Sequence, residues 1–170
     1  MIDDTVAVIP RPIPVGPEHD ALRRFHRDGT WEGSIQPDGM GPGTPAQMAY
    51  GSARHEWIQD GRWVVGEYAQ DQFLEDGSFV LRWELHWVCG WDPLANEYRA
   101  TTADNYGRLA VLSGRIEGDV MVFESMGDTV PRIRLTWNVS EEGVVLWKNE
   151  MTVDGREWAL IENYRIFPTA

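Results

Sequence analysis

The chain has 170 residues, of which 42% are hydrophobic and 25% are charged, and its formal net charge is −12 at pH 7. This length suits one domain whose core is large enough to fold without disulfide bonds, and the single cysteine, Cys89, excludes an intramolecular disulfide framework. The 15 basic residues form no patch along the sequence, so neither nucleic acid nor an anionic membrane surface is an expected partner.

The N-terminus carries no predicted targeting signal. Residues 1–4 lack the basic and apolar regions of a signal peptide. No run of the sequence approaches the roughly 18 apolar residues of a membrane span. We therefore expect a cytoplasmic protein.

The first elements in chain order are an extended arm and one helix. Residues 1–16 contain three alternating prolines and end on Gly16, a composition that predicts an extended arm. A helix is predicted from Pro17, because proline suits the first helical turn and the acidic residues that follow favour the positive end of the helix dipole. Asp28 and Gly29 are expected to end this helix after about ten residues.

From residue 30 onward the residues alternate with period two, which predicts strands separated by turns such as Asp60–Gly61 and Asp154–Gly155. Short connections force antiparallel neighbours, and so many hairpin-linked strands would expose edges unless the sheet closes. The predicted fold class is therefore all-β, an antiparallel up-and-down lipocalin-like barrel of about ten strands with one short N-terminal helix, as a single domain over residues 17–170. The predicted strands span residues 30–35, 47–58, 62–73, 79–91, 97–105, 108–116, 120–125, 132–139, 144–153 and 157–167.

The strand at residues 79–91 predicts which face of the sheet points inward. One face carries only apolar residues, including Phe79, Trp83 and Trp87, whereas the other carries Arg82, Glu84 and His86. Burying the apolar face, at roughly 25 cal/mol per Å², outweighs any gain from burying the charged one. At residues 97–105 two inner pairs fit equally, Tyr98 with Asp104 or Arg99 with Asn105. In the remaining strands the same rule places inside the barrel His55, Trp57, Trp63, Val65, Glu67, Phe73, Ile133, Leu135, Trp137, Val145, Trp147, Asn149, Met151, Trp158, Leu160, Glu162, Tyr164 and Ile166.

The nine tryptophans predict what the barrel holds. About ten strands make a barrel wider than the eight-stranded kind, whose side chains nearly fill the interior, so an internal cavity is expected. Indole rings on the inner face would stack on a small apolar or aromatic molecule. The predicted ligand-binding residues are Trp57, Trp63, Trp83, Trp87, Trp137, Trp147, Asn149 and Trp158.

Four of the predicted inner residues, Glu67, Glu162, His55 and Tyr164, also allow a catalytic hypothesis. A buried glutamate with a raised pKa beside a neutral histidine is suited to general acid–base chemistry. The protein would then be a cofactor-free cyclase, isomerase or lyase acting on a biosynthetic intermediate. The structural alternative is that these groups form a closed polar network or lie in water at the barrel mouth. No metal or cofactor is predicted, because the four histidines and one cysteine are scattered and no phosphate-binding loop occurs.

The outer face and one long loop leave further alternatives. Arg82, Glu84 and His86 are expected to pair with charges on neighbouring strands, or to form a binding triplet if the faces are reversed. An interaction module, with the outer face mediating a homodimer, is a third functional hypothesis. The proline- and glycine-rich segment at residues 36–45 predicts either a lid over the barrel mouth or a disordered loop.

Ordered sequence blocks occur at residues 17–19 with Leu22, residues 29–33, residues 61–63 with Glu67 and Tyr68, residues 90–92 with Tyr98, and residues 154–155 before Trp158. These blocks resemble those of the bacterial domain-of-unknown-function 1579 family. The resemblance implies a lipocalin-like barrel over residues 17–167, and it implies no activity and no catalytic residues. The opening block Gly29–Gly33 is also similar to that of the haem-binding nitrobindins. Nitrobindins use a histidine near the end of the chain, whereas the last histidine here is His86, so haem binding is not implied.

Overall fold

A computed structural model describes residues 12–128 and 130–169. The predicted extended arm lies outside the described residues up to position 11, and residues 12–16 have no regular secondary structure. The helix α1 spans Pro17–Arg23 and is shorter than predicted. Leu22 within the helix and Phe25 just after it both pack into the barrel, where each is less than 5% exposed. No helix in the described part of the chain is long and apolar enough to cross a bilayer.

The ten strands form one closed antiparallel barrel, which confirms the predicted fold class. Each strand pairs with the next in the chain, and β1 pairs with β10 to complete the ring. A short 3₁₀ turn at Gln59–Gly61 links β2 to β3. The strands are β1(Gly29–Ile35), β2(Gln47–Ile58), β3(Trp63–Phe73), β4(Phe79–Asp92), β5(Glu97–Asp104), β6(Leu109–Glu117), β7(Val120–Ser125), β8(Arg132–Asn138), β9(Val145–Thr152) and β10(Ala159–Pro168).

Helix α1 closes one end of the barrel. The Tyr98 hydroxyl donates a hydrogen bond to the Glu18 carbonyl oxygen over 3.0 Å, and the Arg24 guanidinium donates to the Gly118 carbonyl oxygen over 3.3 Å. The apolar core is concentrated beside the helix, so the open space lies toward the opposite end. The buried core residues are Leu22, Phe25, Val64, Trp87, Cys89, Tyr98, Ala100, Leu112, Met121, Phe123, Leu135, Trp137 and Val145.

The segment between β1 and β2 is folded against the open end. The Gln36 amide donates to the Ile161 carbonyl oxygen over 2.8 Å, and the Asp38 amide donates to the Thr44 carbonyl oxygen over 2.9 Å. Met40 packs against the inward-facing cluster that contains Trp31 and Tyr164. The described segment is therefore ordered at this end of the barrel, and its role as a lid stays a prediction.

The inner face predicted for β3 is wrong. His55 and Trp57 point inward as predicted, and their direct partners on β3 are Gly66 and Val64. Directly opposed residues in an antiparallel pair share a face, so the even-numbered residues of β3 point inward. The sequence misleads here because the true inner face carries the polar residues Gln70 and Gln72, which are 2% and 1% exposed. The displaced residues, which lie on the outer wall, are Trp63, Val65, Glu67 and Phe73.

Two β-bulges correct further predictions. Between β3 and β4 the pairing shifts so that Phe73 faces Phe79, which leaves Phe79 60% exposed. Between β9 and β10 the shift at Leu160 and Glu162 turns Leu160 outward, where it is 41% exposed. An extra residue reverses the alternation of faces, and period-two reasoning does not detect it.

The structure also bears on two other predictions, the inner face of β5 and the charge pairing on the outer wall. On β5 the burial pattern places Tyr98 and Asp104 inside and excludes the alternative pair. On the outer wall, Arg82 pairs with Asp71 on the neighbouring strand β3 at 3.1 Å and with Glu84 on its own strand at 3.0 Å, so the predicted cross-strand pairing is confirmed for Arg82.

Candidate functional site

The barrel encloses a cavity of about 140 Å³ between its core and its open end. Apolar and aromatic side chains dominate the lining, with a few polar groups at one side. The lining residues are Trp31, Tyr68, Gln70, Trp83, Leu85, Trp87, Thr102, Ile133, Leu135, Trp137, Trp147, Asn149, Glu162, Tyr164 and Ile166.

Neighbouring rings, some stacked and some tilted or edge to face, form a continuous aromatic wall along this cavity. Trp147 and Tyr164 lie nearly parallel with ring centroids 4.9 Å apart. Trp31 extends the row beyond Tyr164, with centroids 6.3 Å apart, and Trp137 extends it on the other side at 6.1 Å from Trp147. Trp87 follows at 5.6 Å from Trp137. Rings that support one another in this way present fixed faces to a ligand, which lowers the entropy cost of binding.

The structure places the predicted ligand-binding residues in two groups. Trp83, Trp87, Trp137, Trp147 and Asn149 line the cavity. The other three do not, for different reasons.

Trp57 points inward but lies at the closed end, where its ring packs under the Arg23 guanidinium at 4.0 Å. Trp63 lies on the outer wall over Gly90. Trp158 precedes β10 and packs against the Arg134 guanidinium at 4.2 Å, also outside the barrel.

The predicted catalytic residues are also divided. Glu162 and Tyr164 line the cavity together. Glu67 is exposed on the outer wall between Arg54 and His86, so the prediction that it faces the barrel interior is wrong. His55 points inward below the cavity and contacts the lining residue Tyr68.

Sequence reasoning missed Trp31, Tyr68, Gln70 and Thr102 as lining residues. A signal for Trp31 was present in the Gly29–Gly33 block, because the tryptophan alternates with two glycines on one face. A Cβ atom on Gly51, the direct partner of Trp31 on β2, would lie closer than 3.0 Å to the indole. Glycine at that position therefore makes room for Trp31 to lie flat against the inner wall.

The polar side of the cavity is built from neighbouring positions on β9 and β10. Glu162 faces Asn149 across the strands, and the Asn149 amide nitrogen donates to the Glu162 carboxyl over 3.3 Å. The Asn149 carbonyl oxygen and the Tyr164 hydroxyl are buried and have no hydrogen-bond partner among the described residues. Burial raises the pKa of the Glu162 carboxyl, although Asn149 and the nearby Tyr164 hydroxyl oppose part of the rise.

Two histidines hold the floor of the cavity. The Trp87 indole nitrogen donates to His26 Nε2 over 2.9 Å, and His26 Nδ1 lies 3.2 Å from the Leu22 carbonyl oxygen. An indole can only donate, so His26 is neutral with its proton on Nδ1. His55 Nε2 lies 2.8 Å from the Tyr68 hydroxyl, and the two imidazole rings meet edge to face with centroids 5.5 Å apart. Both floor contacts fix the orientation of a lining ring.

His26 gives the fold a defined response to acid. Burial, followed by the neighbouring His55, lowers the pKa of His26 from 6.5 to about 3. Below pH 6.5 the His26 imidazole therefore binds a proton in the unfolded chain but not in the folded chain. The free energy of unfolding falls as the pH falls. Between pH 7.5 and 5.5 this proton accounts for a loss of about 1.4 kcal/mol. Urea unfolding would measure the loss in the free energy of unfolding between pH 7.5 and 5.5, and this loss should be smaller by about 1.4 kcal/mol in His26→Gln than in the wild-type protein. Equal losses in the two proteins would contradict a neutral, buried His26.

The described residues bring no three His, Cys, Asp or Glu side chains together as metal ligands. The architecture is that of a lipocalin-like protein, a closed ten-stranded antiparallel barrel with an aromatic-lined internal cavity. The family model described as "Protein of unknown function (DUF1579)" matches residues 15–159, and the chain belongs to this family.

Among solved structures, the chain is similar to the crystal structure of Rv2717c from M. tuberculosis, with a TM-score of 0.60 and 10% sequence identity. That match covers 92% of this chain and 100% of the other. At such low identity the similarity shows the fold alone. No curated protein matches the chain.

Proposed function

We propose that the protein binds a small hydrophobic or aromatic molecule in the barrel cavity. The observation that carries this proposal is the aromatic wall formed by Trp31, Tyr164, Trp147, Trp137 and Trp87 around open space. Ligand cavities are characteristically concave and apolar with a few polar groups that fix orientation, and the Glu162 side of this cavity supplies such groups.

The size of the cavity limits the ligand. Its volume of about 140 Å³ is close to that of an engineered apolar cavity of roughly 150 Å³ that holds benzene. A molecule with one aromatic ring and a short substituent therefore matches the space. Larger molecules would need the segment over the mouth, including Met40, to move.

A titration with benzyl alcohol, followed by tryptophan fluorescence, tests the proposal, because this single-ring ligand does not contribute to indole emission. The emission of the wild-type protein is expected to change with added ligand and to reach saturation. Thr102 lines the cavity beside Trp87, its direct partner on the neighbouring strand. Thr102→Phe should therefore fill part of the space and weaken binding more than about tenfold. Thr101 is the exposed neighbour on the same strand, and Thr101→Phe is the matched control that should bind normally. Equal binding by the two variants would remove the cavity as the binding site.

The alternative function, a cofactor-free cyclase, isomerase or lyase, is supported by one observation. Burial raises the pKa of Glu162 inside the cavity, which favours the carboxylic acid form that can donate a proton to a bound molecule. Tyr164 would assist from the same side, while Glu67 on the outer wall is too exposed to take part. The homodimer prediction stays a prediction.

Exchange of hydrogen for deuterium separates the two functions. The protein would be purified from its source cells and any bound small molecule extracted from it. This molecule would then be mixed with the protein in heavy water, and its hydrogen atoms would be followed by NMR. An enzyme that transfers a proton to or from a carbon atom of its substrate introduces deuterium at that carbon, and Glu162→Gln should abolish this exchange. A pure binding protein leaves the rate at that of the free molecule.

A further inference from the structure

We propose that the cavity is selective for a primary amine, whose ammonium group is held by Glu162, Asn149 and Tyr164 while its apolar part lies against the aromatic wall. This inference rests on the proposed binding function and names the chemical class of its ligand.

Glu162 has no cationic partner in the described structure, whereas several other barrel carboxylates that are at least partly buried are paired with a cation. Glu150, one position along β9 from Asn149, lies 3.0 Å from both Arg134 and Lys148. Glu124 lies 3.2 Å from Arg132, and Asp104 lies 2.7 Å from Arg108. For Glu162 the described hydrogen bond is the one from the Asn149 amide. A carboxylate in such a place is either neutralised by a proton or paired with a cation from outside.

The nearest cation is already engaged. Arg108 lies near enough to Glu162 to favour its charged form, but it is bound to Asp104 and its side chain is 63% exposed. The cavity lining itself contains no lysine, arginine or histidine. An anionic ligand would therefore meet a carboxyl group with no lining cation to balance its charge, whereas a cationic ligand would complete the pair.

The number of free acceptors fits one ammonium group. A primary ammonium has three N–H donors, and three oxygen acceptors lie on this side of the cavity. They are the Glu162 carboxyl, the Asn149 carbonyl oxygen and the Tyr164 hydroxyl, and the last two are buried without a hydrogen-bond partner in the part of the chain that the structure describes. A ligand hydroxyl supplies one donor and would leave a buried acceptor unsatisfied, which is unfavourable.

The aromatic wall also favours positive charge. Tryptophans line the cavity, and an indole face turned toward the ligand carries negative potential that attracts an ammonium group. Desolvation strengthens this attraction, so the rings offset part of the cost of removing the ammonium from water.

Three ligands of matched size test the inference: benzylamine, which is protonated at pH 7.5, benzyl alcohol and benzoate. Their affinities would be measured by calorimetry for the wild-type protein, Glu162→Gln and Glu32→Gln. The last variant removes one charge from an exposed outer-wall position as a matched control. Benzylamine is expected to bind about tenfold more tightly than benzyl alcohol to the wild type and to Glu32→Gln. Glu162→Gln should remove this preference while retaining the binding of benzyl alcohol.

The outcomes distinguish the two proposals. If benzyl alcohol or benzoate binds the wild-type protein as tightly as benzylamine, the amine inference is wrong while the binding function stands. If Glu162→Gln still prefers benzylamine, Glu162 does not bind the ammonium group and the inference is wrong at this residue. If none of the three ligands binds, the proposed function itself is contradicted. The comparison within the wild-type protein decides the question even if Glu162→Gln does not fold.

Discussion

Replacing Trp87 with alanine is expected to lower the free energy of unfolding by about 3–5 kcal/mol. Trp87 is 2% exposed and lies where the core meets the cavity. Its ring contacts Phe123 and Trp137, with centroids 5.2 and 5.6 Å away, so alanine would leave a large void between them. The loss would be measured by urea unfolding at pH 7.5.

Two control variants separate packing from hydrogen bonding in this prediction. Trp87→Phe keeps most of the buried ring but leaves the His26 Nε2 acceptor without its indole donor, which should cost about 1–3 kcal/mol. Trp63→Ala removes the same side chain from the outer wall and should cost less than Trp87→Ala, because Trp63 is only partly buried. Equal losses in the two alanine variants would contradict the inward orientation of the indole face of β4.

Gly33→Ala is expected to cost about 3 kcal/mol, although it adds one methyl group. A Cβ atom on Gly33 would lie closer than 3.0 Å to the carbonyl oxygen of Asn163 and to the ring of Tyr164. The first contact is with the backbone of β10, the strand that completes the barrel, so no side-chain rotation relieves it. The second contact would displace Tyr164 from its stacked position on Trp147.

Gly33→Ala should therefore affect stability and ligand binding together. Thermal unfolding and a benzyl alcohol titration would measure both effects. Glu32→Ala, at the exposed neighbouring position, is the matched control and should change stability by less than about 0.5 kcal/mol. A Gly33→Ala protein with normal stability would contradict the close approach of β1 and β10.

The strands and their closure into a barrel follow from the sequence because they depend on local signals. Alternating side chains and short turns set the strand positions, and β2 and β7 begin and end at the predicted residues. The inner face of β4 is equally clear, since its apolar and charged faces differ strongly in composition.

The details of the site depend on features that those local signals do not contain. The inner face of β3 carries Gln70 because its amide oxygen accepts a hydrogen bond from the Trp31 indole over 3.0 Å, a contact between residues 39 positions apart in the chain. The bulge at Leu160 places Glu162 and Tyr164 inside but Leu160 outside, and alternation alone cannot show such a shift. Glu67 was misassigned for a related reason, since the side it occupies follows from the pairing of β3 with β2.

A crystal of the protein soaked with bromobenzene would test the central claim most directly, because the anomalous signal of bromine locates the ligand without reference to any assumed pose. The account predicts one strong peak inside the barrel, within van der Waals contact of Trp31, Trp137 or Trp147, and no comparable peak on the outer wall. A barrel interior without bromine, filled by repacked side chains, would contradict it.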